Sequence, residues 1–263
     1  MKREEIDQLD VVAHNSKAWD QEVKRLSPWT KPMSPEEIKE AKAGNWKLFL
    51  TPKKAVPRNW LGVIEGSDIL CLAGSGGQQG SLLATLGASV TVYDASPAQL
   101  EQDRMVARRE QFPILTIQGD IANLSELADE SYDLIVHPCS NCFVRDIQPV
   151  WDECFRVLRH GGVLLSGFLN PIFYASDRDA QERGEFVIKH SVPYSDLKDL
   201  PEDRLVNQIE KNETIEFGHS LESQIGGQIK AGFVITGFFE DYWGVEKLDQ
   251  FLPQFCATRA LKQ

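Results

Sequence analysis

Between residues 67 and 168 the chain alternates short apolar runs with longer amphipathic ones. The runs 68–73, 90–94, 114–117, 132–136 and 163–168 are dominated by Val, Ile, Leu and aromatic residues. Runs this short, apolar on both faces and bounded by Gly, Pro or Asp, predict strands buried in a parallel sheet. Between them, 79–87, 97–112 and 147–158 read as helices. Gly87 is placed to end the first, and Ser96-Pro97 to cap and start the second. His160-Gly161-Gly162 reads as a turn into the fifth strand. Strands and helices in this rhythm predict βαβ units: an α/β fold whose parallel sheet carries helices on both faces.

On either side the pattern changes. Residues 1–60 are polar and broken by Pro28, Pro32, Pro35, Pro52 and Pro57, yet hold Trp19, Trp29, Trp46 and Trp60. So many aromatics outside a core of their own predict a flap, or lid, on a main domain at 61–263. Within it, Ser34-Pro35-Glu36-Glu37 reads as a helix start. Residues 170–218 are charged and irregular and read as a lid-like insertion. A hairpin is expected around 186–191 and a strand near 214–217. A helix over 219–231, stopped by Gly232, precedes two strands at 233–239 and 254–260, expected to pair antiparallel at the sheet edge.

Composition narrows the reading. With 263 residues, 42% of them hydrophobic, the chain can bury one large α/β core. A net charge of −11 opposes a phosphate backbone, so no nucleic-acid partner is expected. Arg104, Arg108 and Arg109 read as one solvated helix face. The charged first residues lack a signal-peptide core, and no apolar run is long enough to span a bilayer. Five irregularly spaced cysteines do not suggest a disulfide framework. The expectation is a cytoplasmic protein with no membrane partner and no metal.

The candidate chemistry lies at the ends of the expected strands, where open parallel sheets bind ligands. Leu72-Ala-Gly-Ser-Gly-Gly-Gln-Gln-Gly80 joins the first strand to a helix. Glycines there let backbone approach a ligand, and the helix presents unpaired N–H groups; the alternative is a plain strand–helix turn. Asp94 ends the second strand, where an acid accepts hydrogen bonds from two ribose hydroxyls or caps a helix; Ala95 and Ser96 adjoin it. Asp120-Ile121 follows the third strand, fit to meet an adenine amino group and ring face, or to form a turn. His137 follows the fourth and reads equally as a ligand contact or base and as a hydrogen-bonded structural histidine. Cys139 and Cys142 form a CxxC without the context of a redox or zinc site.

These stations in this order resemble the class I S-adenosylmethionine-dependent methyltransferases of small molecules. Ser131-Tyr-Asp-Leu-Ile-Val and Val157-Leu-Arg-His-Gly-Gly-Val-Leu are the most family-like segments. The resemblance covers about 67–168 and resumes at 233–261. It implies a Rossmann-like seven-stranded sheet with the last strand antiparallel, inserted beside its parallel neighbour. It implies S-adenosylmethionine as cofactor and a small-molecule methyl acceptor. Ala73, Gly74, Ser75, Gly76 and Gln79 would hold the methionine part, Asp94, Ala95 and Ser96 the ribose, and Asp120 and Ile121 the adenine. His137 would close over the sulfonium side. The family places an acid shortly before its first glycine; Cys71 stands there, so the cofactor's amino group must be met from elsewhere, through water or Gln79. A nicotinamide-dependent oxidoreductase is the alternative, although Gly74, Gly76 and Gly80 are one residue too widely spaced for GxGxxG. A non-catalytic nucleotide-binding protein on the same scaffold is another.

Transfer from a sulfonium needs mainly alignment and exclusion of water, with a base only where the acceptor must lose a proton. His137 and His14 are the candidate bases, and Tyr174 a weaker one. Residues 14–20 resemble a helix that folds over the cofactor. Trp19 or Trp46 would face the sulfonium there or simply pack the flap.

Overall fold

The computed structural model describes residues 6, 8–177, 179–180, 183–244 and 247–263. Its main sheet has seven strands in the order Ile114–Gln118, Ser89–Asp94, Asp68–Leu72, Tyr132–His137, Leu158–Leu169, Phe255–Lys262 and Phe233–Asp241. Strands β1 (Asp68–Leu72), β2 (Ser89–Asp94), β3 (Ile114–Gln118), β4 (Tyr132–His137) and β5 (Leu158–Leu169) are parallel. β8 (Phe233–Asp241) and β9 (Phe255–Lys262) pair antiparallel as expected. β9 runs antiparallel between β5 and β8, the inserted last strand the resemblance implies, with β8 at the edge.

Alternation along β1 explains the layers. Ile69 and Cys71 point to one face, against Leu82 and Leu83 of α3 (Gln79–Thr85) and Leu48 and Leu50 of the N-terminal segment. Leu70 and Leu72 point to the other, against Val150, Trp151, Cys154 and Val157 of α5 (Gln148–Val157). α4 (Pro97–Glu110) joins β2 to β3 and starts as its sequence requires, Ser96 Oγ accepting from Gln99 N at 3.1 Å.

The N-terminal segment forms α1 (Val11–Lys24) and α2 (Pro35–Lys42). Ser34 and Glu37 make a reciprocal capping box: Ser34 Oγ accepts from Glu37 N at 3.2 Å, and Glu37 Oε2 accepts from Ser34 N at 2.7 Å.

Three local expectations are corrected. The expected turn at 160–162 lies inside β5. Tyr132 pairs with Leu158 and Leu134 with Val163, so the extra residues are absorbed as a bulge, with Gly161 at φ +82°. No hairpin forms at 186–191; Ile188 bridges to Ser176, and the insertion's two-stranded sheet joins β6 (Tyr194–Ser195) to β7 (Phe217–Gly218). The insertion also holds α6 (Ile172–Ala175), α7 (Asp196–Asp199) and α8 (Glu202–Glu210). The expected helix over 219–231 is a π-helical turn (Glu222–Gly226) running into α9 (Gly227–Ala231), because glycines at 226 and 227 weaken regular α pairing. Among the described residues no helix is long and apolar enough to cross a membrane.

Candidate functional site

A cavity of about 720 Å³ opens at the carboxyl ends of the parallel strands. It lies over the point where strand order reverses around β1, the crevice such sheets use for ligands.

One side begins with the loop between β1 and α3. Ala73 takes the left-handed conformation, φ +43°, and its N–H donates to Tyr93 O at 2.8 Å. Gln79 Oε1 accepts from Ser75 N at 3.1 Å, closing the loop on its own helix. Ala73, Gly74, Ser75 and Gln79 line the cavity, and Gly76 does not. Gly76 serves close packing: its N–H donates to Gln99 Oε1 at 2.8 Å, and a Cβ there would lie 2.4 Å from Gln99 O. The N-terminal segment grips the same loop, Met33 N–H donating to Gly77 O at 2.9 Å and Gln78 Nε2 to Lys31 O at 2.8 Å.

Asp94, Ala95, Ser96, Asp120 and Ile121 line the cavity from the ends of β2 and β3. Asp94 is 8% exposed. Ser96 N donates to its Oδ1 at 2.7 Å, and burial pushes its carboxyl up to about 7, aided by the nearby Asp20 charge. Asp120 Oδ1 accepts from Ala122 N at 2.9 Å, which leaves Oδ2 outside that turn.

An acid lies near residue 71, although not on the cavity. Cys71 is buried and does not line the cavity. A carboxyl stands close to it on α4: Asp103, 2% exposed, accepts from Gly77 N–H beneath the loop, and burial lifts it to about 8. The acid thus supports the loop from a helix instead of from the strand. Sequence reasoning missed Asp103, although an acid seven residues into an amphipathic helix and flanked by Leu100 and Val106 was its signal.

α1 closes this side. Ser16 Oγ donates to Ala95 O at 2.8 Å, and Asp20 Oδ1 accepts from Ser96 Oγ at 2.6 Å and Ala98 N at 3.1 Å. Trp19 lines the cavity, edge-on to Phe143 with ring centroids 5.3 Å apart. Trp46 lies away from it, packed on the core beneath Arg58, whose guanidinium sits 4.2 Å above the ring.

The remaining lining comes from residue 49 of the N-terminal segment, the segment after β4, the insertion, the β8–β9 connection and β9. Phe49, Cys139, Cys142, Phe173, Trp243 and Phe255 belong to it, with Glu213 and Glu216. Among the described residues no Lys, Arg or His lines the cavity, and no group of three His, Cys, Asp or Glu is arranged to hold a metal. Burial raises the Cys139 and Cys142 thiols far from reactive thiolates.

The three candidate bases stand behind these walls. His137 is fully buried and turned toward Trp151, outside the cavity. Its Nε2–H donates to Asn141 Oδ1 at 2.5 Å; Asn141 Nδ2 donates to Gln224 Oε1 at 2.8 Å, which orients the amide. Burial pushes His137 below its ordinary value, against the hydrogen bonds to Asn141 and Leu72 O. His14 Nε2–H donates to Glu213 O at 2.8 Å. Tyr174 is buried, stacked on Tyr194, and its hydroxyl donates to Glu216 Oε2 at 3.0 Å. Neither His14 nor Tyr174 lines the cavity, but each holds a residue that does.

Comparison with known proteins agrees with this geometry. A methyltransferase-domain family model matches residues 70–166. The chain is 50% identical to an uncharacterised methyltransferase, YbaJ, of Bacillus subtilis strain 168, over 96% of this chain and 98% of that one. In fold it is similar to a putative S-adenosylmethionine-dependent methyltransferase from Listeria monocytogenes. That match has a TM-score of 0.59 at 16% identity and covers 78% of this chain and 95% of the other. An S-adenosylmethionine-dependent methyltransferase from Mesorhizobium loti gives a TM-score of 0.57 at 19% identity, covering 78% and 94%.

Proposed function

Since this chain belongs to the methyltransferases, we propose that it binds S-adenosylmethionine in the cavity over β1 and β4 and methylates a small-molecule acceptor. One observation carries the reading: the glycine loop, Asp94 and Asp120, from the ends of three successive strands, line a single cavity.

The residues present fit the cofactor. Asp94 is a buried carboxyl with a backbone donor on Oδ1, which a pair of ribose hydroxyls would satisfy. Asp120 and Ile121 offer an acceptor and an apolar face for adenine. Ala73, Gly74 and Ser75 bring bare backbone to the methionine end, where no bulky side chain competes for space. When bound, the cofactor supplies a methyl group on a positively charged sulfur, which leaves as a neutral thioether. The chain's own contribution is placement and dryness. α1 roofs the ribose side through Ser16 and Asp20, and Trp19 with the facing aromatic wall excludes water.

A small acceptor suits a walled cavity, and the same features speak against nucleic acid. The net charge is −11, and no basic residue lines the cavity among those described. The test is calorimetric titration with S-adenosylmethionine, S-adenosylhomocysteine and NADH, on wild type and Asp94→Ala. The expected result is micromolar binding of both sulfur ligands, at least tenfold weaker in the variant, and none of NADH. Binding of NADH alone would overturn the reading.

A further inference from the structure

The cavity has two unlike halves. The glycine loop, Asp94 and Asp120 reach it from the ends of β1, β2 and β3, on one half of the sheet. Around the ends of β5 and β9, on the other half, apolar residues adjoin one another. Leu169 at the end of β5 pairs in register with Phe255 at the start of β9. Trp243 stacks on Phe255, with ring centroids 5.0 Å apart and planes 13° from parallel, and Trp29 tilts against Trp243 at 5.7 Å. Leu50 O accepts from Cys139 N–H at 3.3 Å and lies so close over β5 that only a glycine fits at residue 167. All six residues line the cavity, and none of them is charged. The wall is anchored from behind: Trp243 N–H donates to Asp249 Oδ1 at 3.0 Å and to Gln254 Oε1 at 3.1 Å, and Gly244 N–H donates to Asp249 Oδ2 at 2.6 Å. Phe255 is 2% exposed and Trp29 45%, so the rings run from the interior to the surface.

From this wall we infer that the methyl acceptor carries an apolar body, seated against Trp243 and its neighbours, and that Trp243 and Trp29 set acceptor specificity. The inference rests on the methyl-transfer reading above and names the class of molecule that reading leaves open. Apolar surface moved from water onto this wall is stabilised in proportion to the area buried. Rings in the acceptor gain further from offset or edge contact with the rings of the wall. An anionic body gains neither. It gives up its hydration to residues that offer no counter-charge, and no Lys, Arg or His lines the cavity among the described residues.

The position of the wall suits this use. The two halves meet over β4, which lies between β1 and β5 in the sheet. A body held on the β5–β9 half therefore leaves the other end of the acceptor to face the half proposed for the cofactor. Its burial supplies the binding energy that alignment of a nucleophile costs. Trp29 stands at the exposed end of the wall, where it meets an acceptor first, and Trp243 stands between it and buried Phe255.

The test uses wild type, Trp243→Ala, Trp243→Phe and Trp29→Ala, each saturated with S-adenosylhomocysteine. Three probes are titrated calorimetrically: 2-phenylethanol, 3-phenylpropanoate and glycerol. The inference requires 2-phenylethanol to bind with a negative heat-capacity change and an affinity indifferent to salt. It requires the carboxylate to bind at least about tenfold more weakly and glycerol not to bind. Trp243→Ala should weaken 2-phenylethanol about tenfold, and Trp243→Phe, which keeps a ring there, should restore most of the loss. Where Trp243→Ala does not fold, Trp29→Ala, at a half-exposed position, carries the test with the same expected loss. S-adenosylhomocysteine should bind all four proteins alike. Equal binding of the alcohol and the carboxylate would overturn the inference. So would no binding of 2-phenylethanol to the loaded wild type, or unaltered binding to the alanine variants. A tenfold loss of S-adenosylhomocysteine in a folded alanine variant would assign the rings to the cofactor and overturn it too. Failure of wild type to bind S-adenosylhomocysteine at all would instead count against the methyl-transfer reading.

Discussion

At the scale of single residues, burial of Asp94 costs stability that the proposed ribose contact would turn to binding. Its carboxyl is raised from 3.8 to about 7, first because it is buried. A raised carboxyl favours the folded state fully below its unfolded value. That contribution is lost as pH climbs from about 4 to about 7, and the loss is constant above. A shift of this size amounts to as much as about 4 kcal/mol. Ligand hydroxyls donate to the ionised form, so affinity moves the other way. S-adenosylhomocysteine should bind about tenfold more weakly for each pH unit below 7 and level off above it. Asp94→Asn should abolish that slope, bind weakly throughout, and melt at a higher temperature than wild type at pH 8; calorimetry across pH and thermal melts check both. The position of Asp94 was legible because a strand ended on it. The orientation of His137 was not: one residue past Val136, it turns to the opposite face of the sheet, against Trp151, and spacing alone does not say which face carries the ligand.

At the scale of elements, the glycine loop works only as well as its seating on α4. Gly76→Ala would press a Cβ onto Gln99 O, and rigid helix backbone cannot move aside. The expected cost is about 2 kcal/mol of stability together with a loss of S-adenosylhomocysteine affinity, although residue 76 does not touch the cavity. Gly161→Ala is the control. It sits at φ +82° with nothing within 4 Å of the added Cβ, so it should cost about 1 kcal/mol from backbone strain and leave affinity intact. Denaturant melts and titrations separate the two. Strands β1, β2, β4 and β5 were legible because burial on both faces writes a continuous apolar run, while β3 carries such a run although Leu115 is exposed. The insertion was not, because its short elements are fixed by side chains: Asp196 alone accepts from Tyr194 OH, Gln208 Nε2 and Glu216 N. Such hydrogen bonds leave no periodic signal.

At the scale of the molecule, α1 is a tie across the cavity. Toward the ends of β2 and α4 it is bound through Ser16 and Asp20. Toward the insertion, Asn15 Nδ2 donates to Ile215 O at 2.9 Å and its Oδ1 accepts from Ile215 N at 2.8 Å, while His14 Nε2 donates to Glu213 O. Residues 200 apart in sequence are thus paired like neighbouring strands, a contact no local pattern could announce. Exchange of a ligand enclosed on both sides requires one of these attachments to open, and the Asn15 pair, beside the His14 bond, joins the two covers. Asn15→Ala removes both bonds and leaves the buried Ile215 backbone unpaired, at a cost of about 3 kcal/mol to the closed arrangement. Hydrogen exchange should then quicken together in residues 11–24 and 202–218, with the β1–β5 sheet unchanged, and S-adenosylhomocysteine should dissociate faster from the variant. Faster exchange in 11–24 alone would mean that the insertion stands by itself and α1 is the only moving cover. Faster exchange in both segments with unaltered dissociation would place the route of ligand exit elsewhere, past Trp29 and Trp243.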